Sequence, residues 1–354
     1  MSAPPARRIA ILTSGAAALV PVLDRLGGVE AVERFDLGDA ADERRLVEGL
    51  SGVFAVVAGS ERYTRRVLEA LPELRAIVRF GVGYDAIDLA AAGDAGVAVL
   101  TVPGANAEAV ADMALALLLS CIRGLPALDR SVRAGVWRVA GPSRDLARST
   151  VAIVGLGAVG RAVAVRLRGF GCELLGVEPS PDREFAARAG IELTSLAHAL
   201  RRADAVTLHA ALTPQTRHLL GARELALLPA HAVLVNTSRG GLVDQAALVY
   251  ALRAGRLAGA GLDVLEEEPP SARDPLLTLP NVIIAPHASS FTELGLARTC
   301  EAVLERLVTL LDGRLPEGSL SQPGWTAVPT PAHRPAPAAR AVTTAKGSHR
   351  APGR

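Results

Sequence analysis

The chain has 354 residues, of which 50% are hydrophobic and 3% aromatic, and its formal net charge is +2. A chain of this length is expected to form about two domains, and so small a net charge gives no indication of binding to nucleic acid or to a membrane surface. Lysine occurs once, at Lys346, which argues against a Schiff-base lysine or a phosphate-loop lysine in the body of the protein.

The N-terminal segment "ARRIAILTSGAAALVPVL" admits two interpretations. Two arginines followed by an apolar run resemble a secretory signal. Pro21 interrupts that run, however, and residues 8–12 also read as a first strand that leads into a helix. We adopt the second interpretation and expect a cytoplasmic protein. The longest later apolar run, residues 113–122, is too short to span a bilayer.

Short apolar runs alternate with helical patterns along the chain. Continuous runs of Val, Ile and Leu separated by helices are typical of parallel sheets that are covered on both faces. The sequence therefore predicts an α/β protein with two doubly wound parallel-sheet domains. The predicted strands are residues 8–12, 53–57, 76–79, 97–101, 151–154, 173–178, 205–208, 232–236, 259–264 and 281–285.

The boundary between the two domains is expected near Pro103 and Gly104, which break the chain just before a long helix that starts near Asn106. A second helical stretch follows the last predicted strand. We assign residues 1–103 plus 290–317 to one domain and residues 104–289 to the other. From 318 the chain is rich in Pro, Ala, Ser and Arg without a hydrophobic period, so residues 318–354 are predicted to be a disordered, dispensable tail.

The three cysteines, Cys121, Cys172 and Cys300, form no CxxC pair and no metal-ligand spacing. We expect them to be small buried side chains in a reducing compartment. The sequence therefore predicts no metal site and no disulfide framework.

A glycine-rich loop connects a predicted strand to a predicted helix in "VAIVGLGAVGRAVAVRL". Gly155 would allow a tight turn, Gly157 would let the backbone approach a pyrophosphate, and Gly160 would let the helix pack close to the sheet. The N–H groups at the start of the helix would face the phosphates. This motif, in this context, predicts a dinucleotide-binding site.

The acid expected beyond such a loop is Glu178, at the end of the next predicted strand. A carboxylate there accepts hydrogen bonds from ribose hydroxyls and repels a 2′-phosphate, which favours NAD over NADP. Arg183 lies nearby and weakens this preference, because an arginine can accommodate a 2′-phosphate.

Three functional groups follow three successive predicted strands of the second domain. Arg239 lies in "NTSRGG", three carboxylates lie in "LEEEPP", and His287 lies in "PHASS". Ligands of open α/β sheets bind beyond the carboxyl ends of the strands. Each residue is ordinary alone, but a guanidinium, a carboxylate and an imidazole beside a bound NAD suit hydride transfer to a 2-oxo acid.

Several separate motifs resemble those of the D-isomer-specific 2-hydroxyacid dehydrogenase family. They are "RFGVGYDAIDL", "PGANAEAVADMALALLL", "VGLGAVGR", "LTPQTRHLL", "NTSRGGLVD", "LDVLEEEPP" and "PHAS", and they extend over residues 50–313. The resemblance implies that residues 104–289 form a Rossmann NAD-binding domain and that residues 1–103 plus 290–317 form a flavodoxin-like substrate domain. It also implies a homodimer formed through the NAD-binding domain. It also implies reduction of a 2-oxo acid to a D-2-hydroxy acid, or the reverse reaction.

The resemblance also implies roles for single residues. Arg239 would bind the substrate, His287 would exchange the proton, and Glu268 would support His287, with Glu266 and Glu267 solvated. Asp244 is expected to cap a helix. The other implied contacts are Asp263 with the nicotinamide carboxamide, Thr237, Ser238, Ala158 and Val159 with the cofactor, and the backbone of Val82 and Gly83 with the substrate carboxylate.

The sequence departs from the family pattern in places. Ala211 stands where the family usually has proline, so we expect a less rigid loop over the cofactor. Asp112 replaces the usual glutamate, "DLARSTVAIVG" lacks the usual Gly-Lys before the strand, and "PHASS" has serines where glycine or alanine is common.

Other functions stay open at this point. The C-terminal binding protein corepressors are similar and serve as NAD-responsive binding modules, and formate or phosphonate oxidation is a further alternative. The substrate cannot be read from the sequence. Arg62, Arg65 and Arg66 could hold a second anionic group of the substrate, or they could form a solvated face.

Overall fold

The computed structural model describes residues 6–26, 28–33, 42–137 and 141–321. Most of the predicted tail, residues 322–354, lies outside the described residues.

The first sheet consists of five parallel strands near the N-terminus. They are β1 (Arg7–Ile11), β2 (Val29–Glu33), β3 (Ala55–Ala58), β4 (Ala76–Arg79) and β5 (Ala98–Leu100), with helices α1 (Val20–Leu23), α2 (Glu43–Gly49), α3 (Arg65–Glu69) and α4 (Leu89–Asp94) between them. The strand order is β2-β1-β3-β4-β5, which is the flavodoxin-like order.

The second sheet consists of seven parallel strands. They are β6 (Thr150–Val154), β7 (Glu173–Val177), β8 (Ile191–Leu193), β9 (Ala205–Leu208), β10 (Val233–Asn236), β11 (Gly259–Leu262) and β12 (Val282–Ile284). Its helices are α5 (Ala107–Arg123), α6 (Leu125–Arg133), α7 (Ala158–Arg168), α8 (Arg183–Ala189), α9 (Leu196–Arg202), α10 (Ala222–Leu225) and α11 (Gln245–Arg253), and α12 (Glu293–Leu311) follows the last strand.

The order of the second sheet is β12-β11-β10-β9-β6-β7-β8. Beginning at the strand before the glycine loop, this is the Rossmann order extended by one strand. The predicted fold class is confirmed, with two doubly wound parallel sheets.

Both sheets are covered on both faces by apolar side chains. Two buried clusters enclose the first sheet and two others enclose the second. Helix α5 packs on the second sheet against β10 and β11, whereas α12 returns to the first sheet and packs beside β4. The domain boundaries expected near residues 103 and 290 stay a prediction.

Short polar side chains cap many of the helices, as their positions before apolar-periodic segments suggest. The carboxylate of Asp88 accepts the backbone N–H of Ala91 at the start of α4. The predicted cap at Asp244 is confirmed, since its carboxylate accepts the N–H of Ala247 at 3.0 Å.

Strands β2 and β8 were not predicted from the sequence. Both lie at the edge of their sheets, and their burial is partial, with exposed glutamates in each. An edge strand needs no continuous apolar run, so β2 and β8 lack the signal that identified the buried strands.

Residues 319–321, which the sequence analysis assigned to the tail, bind to the open edge of β5. The backbone N–H of Leu320 donates to the carbonyl of Val99 at 2.8 Å. The hydroxyl of Ser321 accepts the N–H of Val99 and donates to the carbonyl of Val97, at 2.9 and 2.7 Å. Residues 320 and 321 of the predicted tail are therefore hydrogen-bonded to the edge of the first sheet.

Within the described part of the chain, no single helix has the length and apolar character needed to cross a membrane. Only α5 and α6 taken together, with a bend of 62° between them, meet the criteria of length and composition.

Candidate active site

The three glycines of the loop after β6 have three different environments. A Cβ on Gly155, whose φ is +94°, would lie 2.6 Å from the backbone of Ala210, and a Cβ on Gly160 would lie 1.9 Å from the carbonyl oxygen of Gly155. A Cβ on Gly157 would meet nothing within 4 Å. Two of the glycines are therefore required by packing, whereas Gly157 leaves open space where α7 begins.

Glu178 follows β7 and lies against this loop. One carboxylate oxygen accepts the N–H of Leu156 at 2.9 Å and the other accepts the N–H of Ser180 at 3.2 Å. These two bonds fix the carboxylate beside the glycine loop, where an adenosine ribose would lie in a dinucleotide complex.

A cavity lies between the two sheets, at the carboxyl ends of the strands. The loop after β4 forms one side, with Val82, Gly83, Tyr84 and Asp85. The loops of the second domain form the other sides, with Val159, His209, Ala210, Ala211, Leu212, Thr237, Ser238, Arg239, Asp263, His287, Ser289 and Ser290, while Asn106 and Val110 lie at the start of α5. The predicted residues Arg239 and His287 thus face one cavity.

His287 and Glu268 form a hydrogen-bonded pair. The Nδ1 atom of His287 lies 2.7 Å from Oε2 of Glu268, and Oε1 of Glu268 accepts the N–H of Leu265 at 2.9 Å. Since Glu268 occupies Nδ1, the Nε2 atom of His287 is left for the cavity. The carboxylate orients the imidazole ring.

The pKa of Glu268 lies below its ordinary value. Burial alone would raise this pKa, but the hydrogen bond and the charge of His287 outweigh it, with help from the N–H of Leu265 and the charge of Arg239. Glu268 is therefore ionised at neutral pH.

The three consecutive glutamates diverge. Glu268 binds His287, while Glu266 lies 2.7 Å from Nε2 of His218 and 3.2 Å from the guanidinium of Arg217. Glu267 is exposed. Glu266 is exposed, as expected, and it also pairs with a neighbouring loop.

Arg239 projects from the loop after β10 into the cavity. Asn236, at the end of that strand, fixes the loop by donating to the carbonyl of Arg239 and accepting the N–H of Ser238. A Cβ on Gly240 would lie 1.9 Å from the backbone of Leu265. The loop of Arg239 can therefore approach the loop of Glu268 only because residue 240 is glycine.

The other predicted cofactor contacts have different surroundings. Asp263 accepts the N–H groups of Ala288 and Ser289 at 2.8 and 2.9 Å, and also the hydroxyl of Ser289. Its visible role is to hold the turn after His287, and the predicted nicotinamide contact stays a prediction. The hydroxyl of Ser238 donates to the carbonyl of Ala210, whereas Ala158 opens helix α7 and does not line the cavity.

Two buried polar atoms at the cavity, Thr237 Oγ1 and Asn106 Oδ1, have no hydrogen-bond partner among the described residues. Buried polar groups are normally hydrogen-bonded. Their unused capacity, together with the open space at Gly157, fits a dinucleotide whose nicotinamide end lies in the cavity.

Sequence reasoning did not single out Asn106, His209, Tyr84 or Asp85 as site residues. His209 follows β9 in "LHAALTP", where its position at a strand end was the available signal. Burial lowers the pKa of His209 to about 3, so its ring is neutral, and Nε2 lies 2.8 Å from the hydroxyl of Thr207.

Two departures from the family pattern are compensated locally. The carbonyl of Ala211 accepts the hydroxyl of Thr216 at 2.6 Å, and Thr213 and Thr216 bind each other's backbone N–H. The loop that lacks proline is thus tied by hydrogen bonds. Asp112 pairs with Arg166 of α7 at 2.7 Å.

Comparisons with known proteins agree on one family. Residues 115–289 match the family described as the D-isomer specific 2-hydroxyacid dehydrogenase, NAD binding domain. A glyoxylate reductase from Korarchaeum cryptofilum is 42% identical over 261 residues, which are 72% of this chain and 79% of that protein. A D-3-phosphoglycerate dehydrogenase from Methanocaldococcus jannaschii is 36% identical over 303 residues, which are 85% of this chain and 58% of that protein.

Solved structures show the same likeness. A D-lactate dehydrogenase from Aquifex aeolicus, complexed with NAD and lactic acid, has a TM-score of 0.78 and 25% identity. The match covers 87% of this chain and 96% of that one.

Proposed function

Because the chain belongs to the D-isomer-specific 2-hydroxyacid dehydrogenase family and is an NAD-dependent dehydrogenase, we propose that it interconverts a 2-oxo acid and the D-2-hydroxy acid. The observation that carries this proposal is the single cavity lined by both Arg239 and His287, with Glu268 hydrogen-bonded to His287. A carboxylate anchor and a proton carrier thus line the same space.

The roles follow from the geometry. The glycine loop after β6 would hold NADH, which would supply the hydride for C2 of the 2-oxo acid. Arg239 binds the carboxylate and the carbonyl oxygen, for which guanidinium geometry is suited. Nε2 of His287 gives its proton to the oxygen formed on reduction, and in the reverse direction it accepts that proton. Glu268 stabilises the charged imidazole.

The loop after β4 provides further donors. The backbone N–H groups of Val82, Gly83 and Tyr84 have no backbone partner among the described residues, and successive free N–H groups attract anions. The carbonyl of Gly83 points the other way, since it accepts Nε of Arg79 at 2.6 Å. We assign this loop to the substrate carboxylate.

The same cavity favours a substrate with a short, uncharged side chain. Among the described basic residues only Arg239, His287 and the neutral His209 line it. A phosphate group is usually bound by additional arginine or lysine side chains. Arg65, one of three arginines that could have served, pairs with Asp94 at 2.9 Å.

Arg79 does not supply a second cation for a substrate phosphate either. Its guanidinium donates to the carbonyl of Gly83 and, at 3.1 Å, to the carbonyl of Ala58. We therefore expect glyoxylate, pyruvate or hydroxypyruvate to be reduced in preference to phosphohydroxypyruvate.

Steady-state reduction of these four acids with NADH tests both statements. Turnover with the unphosphorylated acids, with lower kcat/KM for the phosphorylated one, is expected. Oxidation of formate and phosphonate is assayed with NAD in parallel. Binding of NADH without turnover of any of these compounds would contradict the enzyme assignment and favour a corepressor-like binding module.

We also propose a homodimer formed through helix α6. This helix has no buried residue. Leu125, Leu128 and Val132 are exposed along it, and Trp137 just beyond it is 88% exposed. Contiguous exposed apolar side chains mark interaction surfaces.

Light scattering tests the dimer. Val132→Glu should yield monomers, whereas Leu277→Glu, at an exposed apolar residue outside α6, should leave the dimer intact. A monomeric wild-type protein would refute the proposal. The expected cytoplasmic location stays a prediction.

A further inference from the structure

Asp85 lies opposite Arg239 across the cavity. Asp85 belongs to the loop after β4 of the first sheet, and Arg239 to the loop after β10 of the second. Nε of Arg239 donates to Oδ1 of Asp85 at 2.8 Å. The side chain of Arg239 is 21% exposed and that of Asp85 is 32% exposed. This ion pair joins the two sides of the cleft at the residue proposed to hold the substrate.

The guanidinium of Arg239 is fixed from three sides. Asp85 holds Nε, and the carbonyl of Ser238 accepts Nη1 at 2.8 Å. Nη2 lies against Gly83, where an ideal Cβ would be only 1.4 Å away. The N–H groups of Nη2 have no hydrogen-bond partner in the described part of the chain, so this end of the guanidinium is available to an anion.

The charges around Asp85 give it a second role. Burial would raise the pKa of Asp85, but the charge and hydrogen bond of Arg239 outweigh it, and Arg79 adds to them, so the pKa lies below its ordinary value. The pKa of Arg79 is lowered by burial and then by the charge of Arg239. The two guanidinium groups therefore repel each other, and ionised Asp85 offsets that repulsion.

We propose that Asp85 is a positioning residue that orients Arg239 for the substrate carboxylate. It acts from the opposite side of the cleft, so the carboxylate-binding site is complete only when the two sides are together. This inference rests on the proposed function, and it adds a substrate-domain residue to the group that recognises the acid.

The alternative is that Asp85 competes with the substrate for Arg239. The two possibilities predict opposite changes in the affinity for a 2-oxo acid when Asp85 is removed. If Asp85 positions the guanidinium, its removal weakens binding of a 2-oxo acid; if it competes, its removal strengthens binding. A single equilibrium measurement separates them.

The probe is oxamate, a 2-oxo acid analogue that is not reduced, titrated by calorimetry into protein saturated with NADH. Loss of a charge-assisted hydrogen bond corresponds to a change of roughly 10- to 100-fold in affinity, and Asp85→Ala should weaken oxamate binding by that factor. Asp85→Asn keeps an acceptor for Nε and should be intermediate. Affinity for NADH and the melting temperature should stay unchanged in both variants.

The matched control is Asp94→Ala, which removes an exposed aspartate–arginine pair of the same domain outside the cavity. It should change neither oxamate nor NADH binding, since exposed ion pairs contribute little. A second measurement uses kcat/KM for the 2-oxo acid in an Arg239→Gln background. There Asp85→Ala should have little further effect, because the residue through which it acts is absent.

Unchanged or tighter oxamate binding by Asp85→Ala would overturn the inference, as would an equal loss of kcat/KM with and without Arg239. A wild-type protein that binds oxamate but reduces no 2-oxo acid would contradict the proposed function alone, with the effect of Asp85 still measurable as binding. A wild-type protein that binds no oxamate would contradict both.

Discussion

Replacing Glu268 by Gln should displace the pH dependence of the reaction without removing the hydrogen-bonding partner of His287. The carboxylate oxygen lies 2.7 Å from Nδ1, and an amide oxygen can occupy the same place. The negative charge is lost, and the amide nitrogen replaces the oxygen that accepts the N–H of Leu265. The imidazolium form of His287 then loses its electrostatic support, and the ring gives up its proton at lower pH than in the wild type.

The size of the displacement follows from the separation and the exposure. Unit charges about 4 Å apart interact by about 1 kcal/mol in water and by about 4 kcal/mol at an effective dielectric constant of 20. The two side chains are 45% and 37% exposed, so the lower part of this range applies. With this screening by solvent, we expect the substitution to remove an interaction of about 1 kcal/mol.

The assay is log(kcat/KM) against pH in both directions. Reduction needs the protonated ring, so activity should decline at a lower pH in Glu268→Gln. Oxidation needs the neutral ring, so its acid limb should also move to lower pH. Glu267→Gln and Glu266→Gln serve as controls and should leave both profiles in place. A profile that moves in either control but not in Glu268→Gln would refute the assignment of the acid that supports His287.

Three further outcomes are expected. Gly157→Ala should weaken NADH binding and leave the melting temperature nearly unchanged, since its Cβ meets open space. Gly160→Ala should lower the melting temperature, because its Cβ would lie 1.9 Å from a carbonyl oxygen. Equal melting temperatures of the two variants would contradict this. Because of Glu178, kcat/KM should be higher with NADH than with NADPH. A preference for NADPH would refute the assignment of Glu178 to the ribose hydroxyls. Truncation after Ser321 should leave activity and melting temperature unchanged, whereas truncation after Gly318 should lower the melting temperature, and equal effects of the two truncations would show that residues 319–321 contribute nothing.

The parts of the fold that follow from local pattern were predictable. Strands such as β6 and β10 each contain a continuous apolar run, and the glycine loop has its strand before it and its helix after it. Strand β2 has two glutamates among its five residues and lies at the sheet edge, so its pairing with β1 depends on a partner strand that a local pattern does not show. Docking of residues 319–321 depends likewise on the free edge of β5.

The same distinction applies to the site. Arg239, Glu268 and His287 each follow a predicted strand, and parallel strands bring such positions to one edge. Asp85 could not be found in this way, because its partner belongs to the other sheet and lies 154 residues further along the chain. Asp263 shows a further limit, since its carboxylate is taken up by the turn after His287, which strand positions do not reveal.

The contact of residues 319–321 with β5 also bears on self-association. A terminal strand of a sheet presents unpaired N–H and C=O groups that template pairing with another chain. Leu320 and Ser321 occupy the groups of Val97 and Val99 on that side. Proteolytic removal of these few residues would expose an apolar strand edge, so nicked protein should aggregate even where the catalytic cleft is intact.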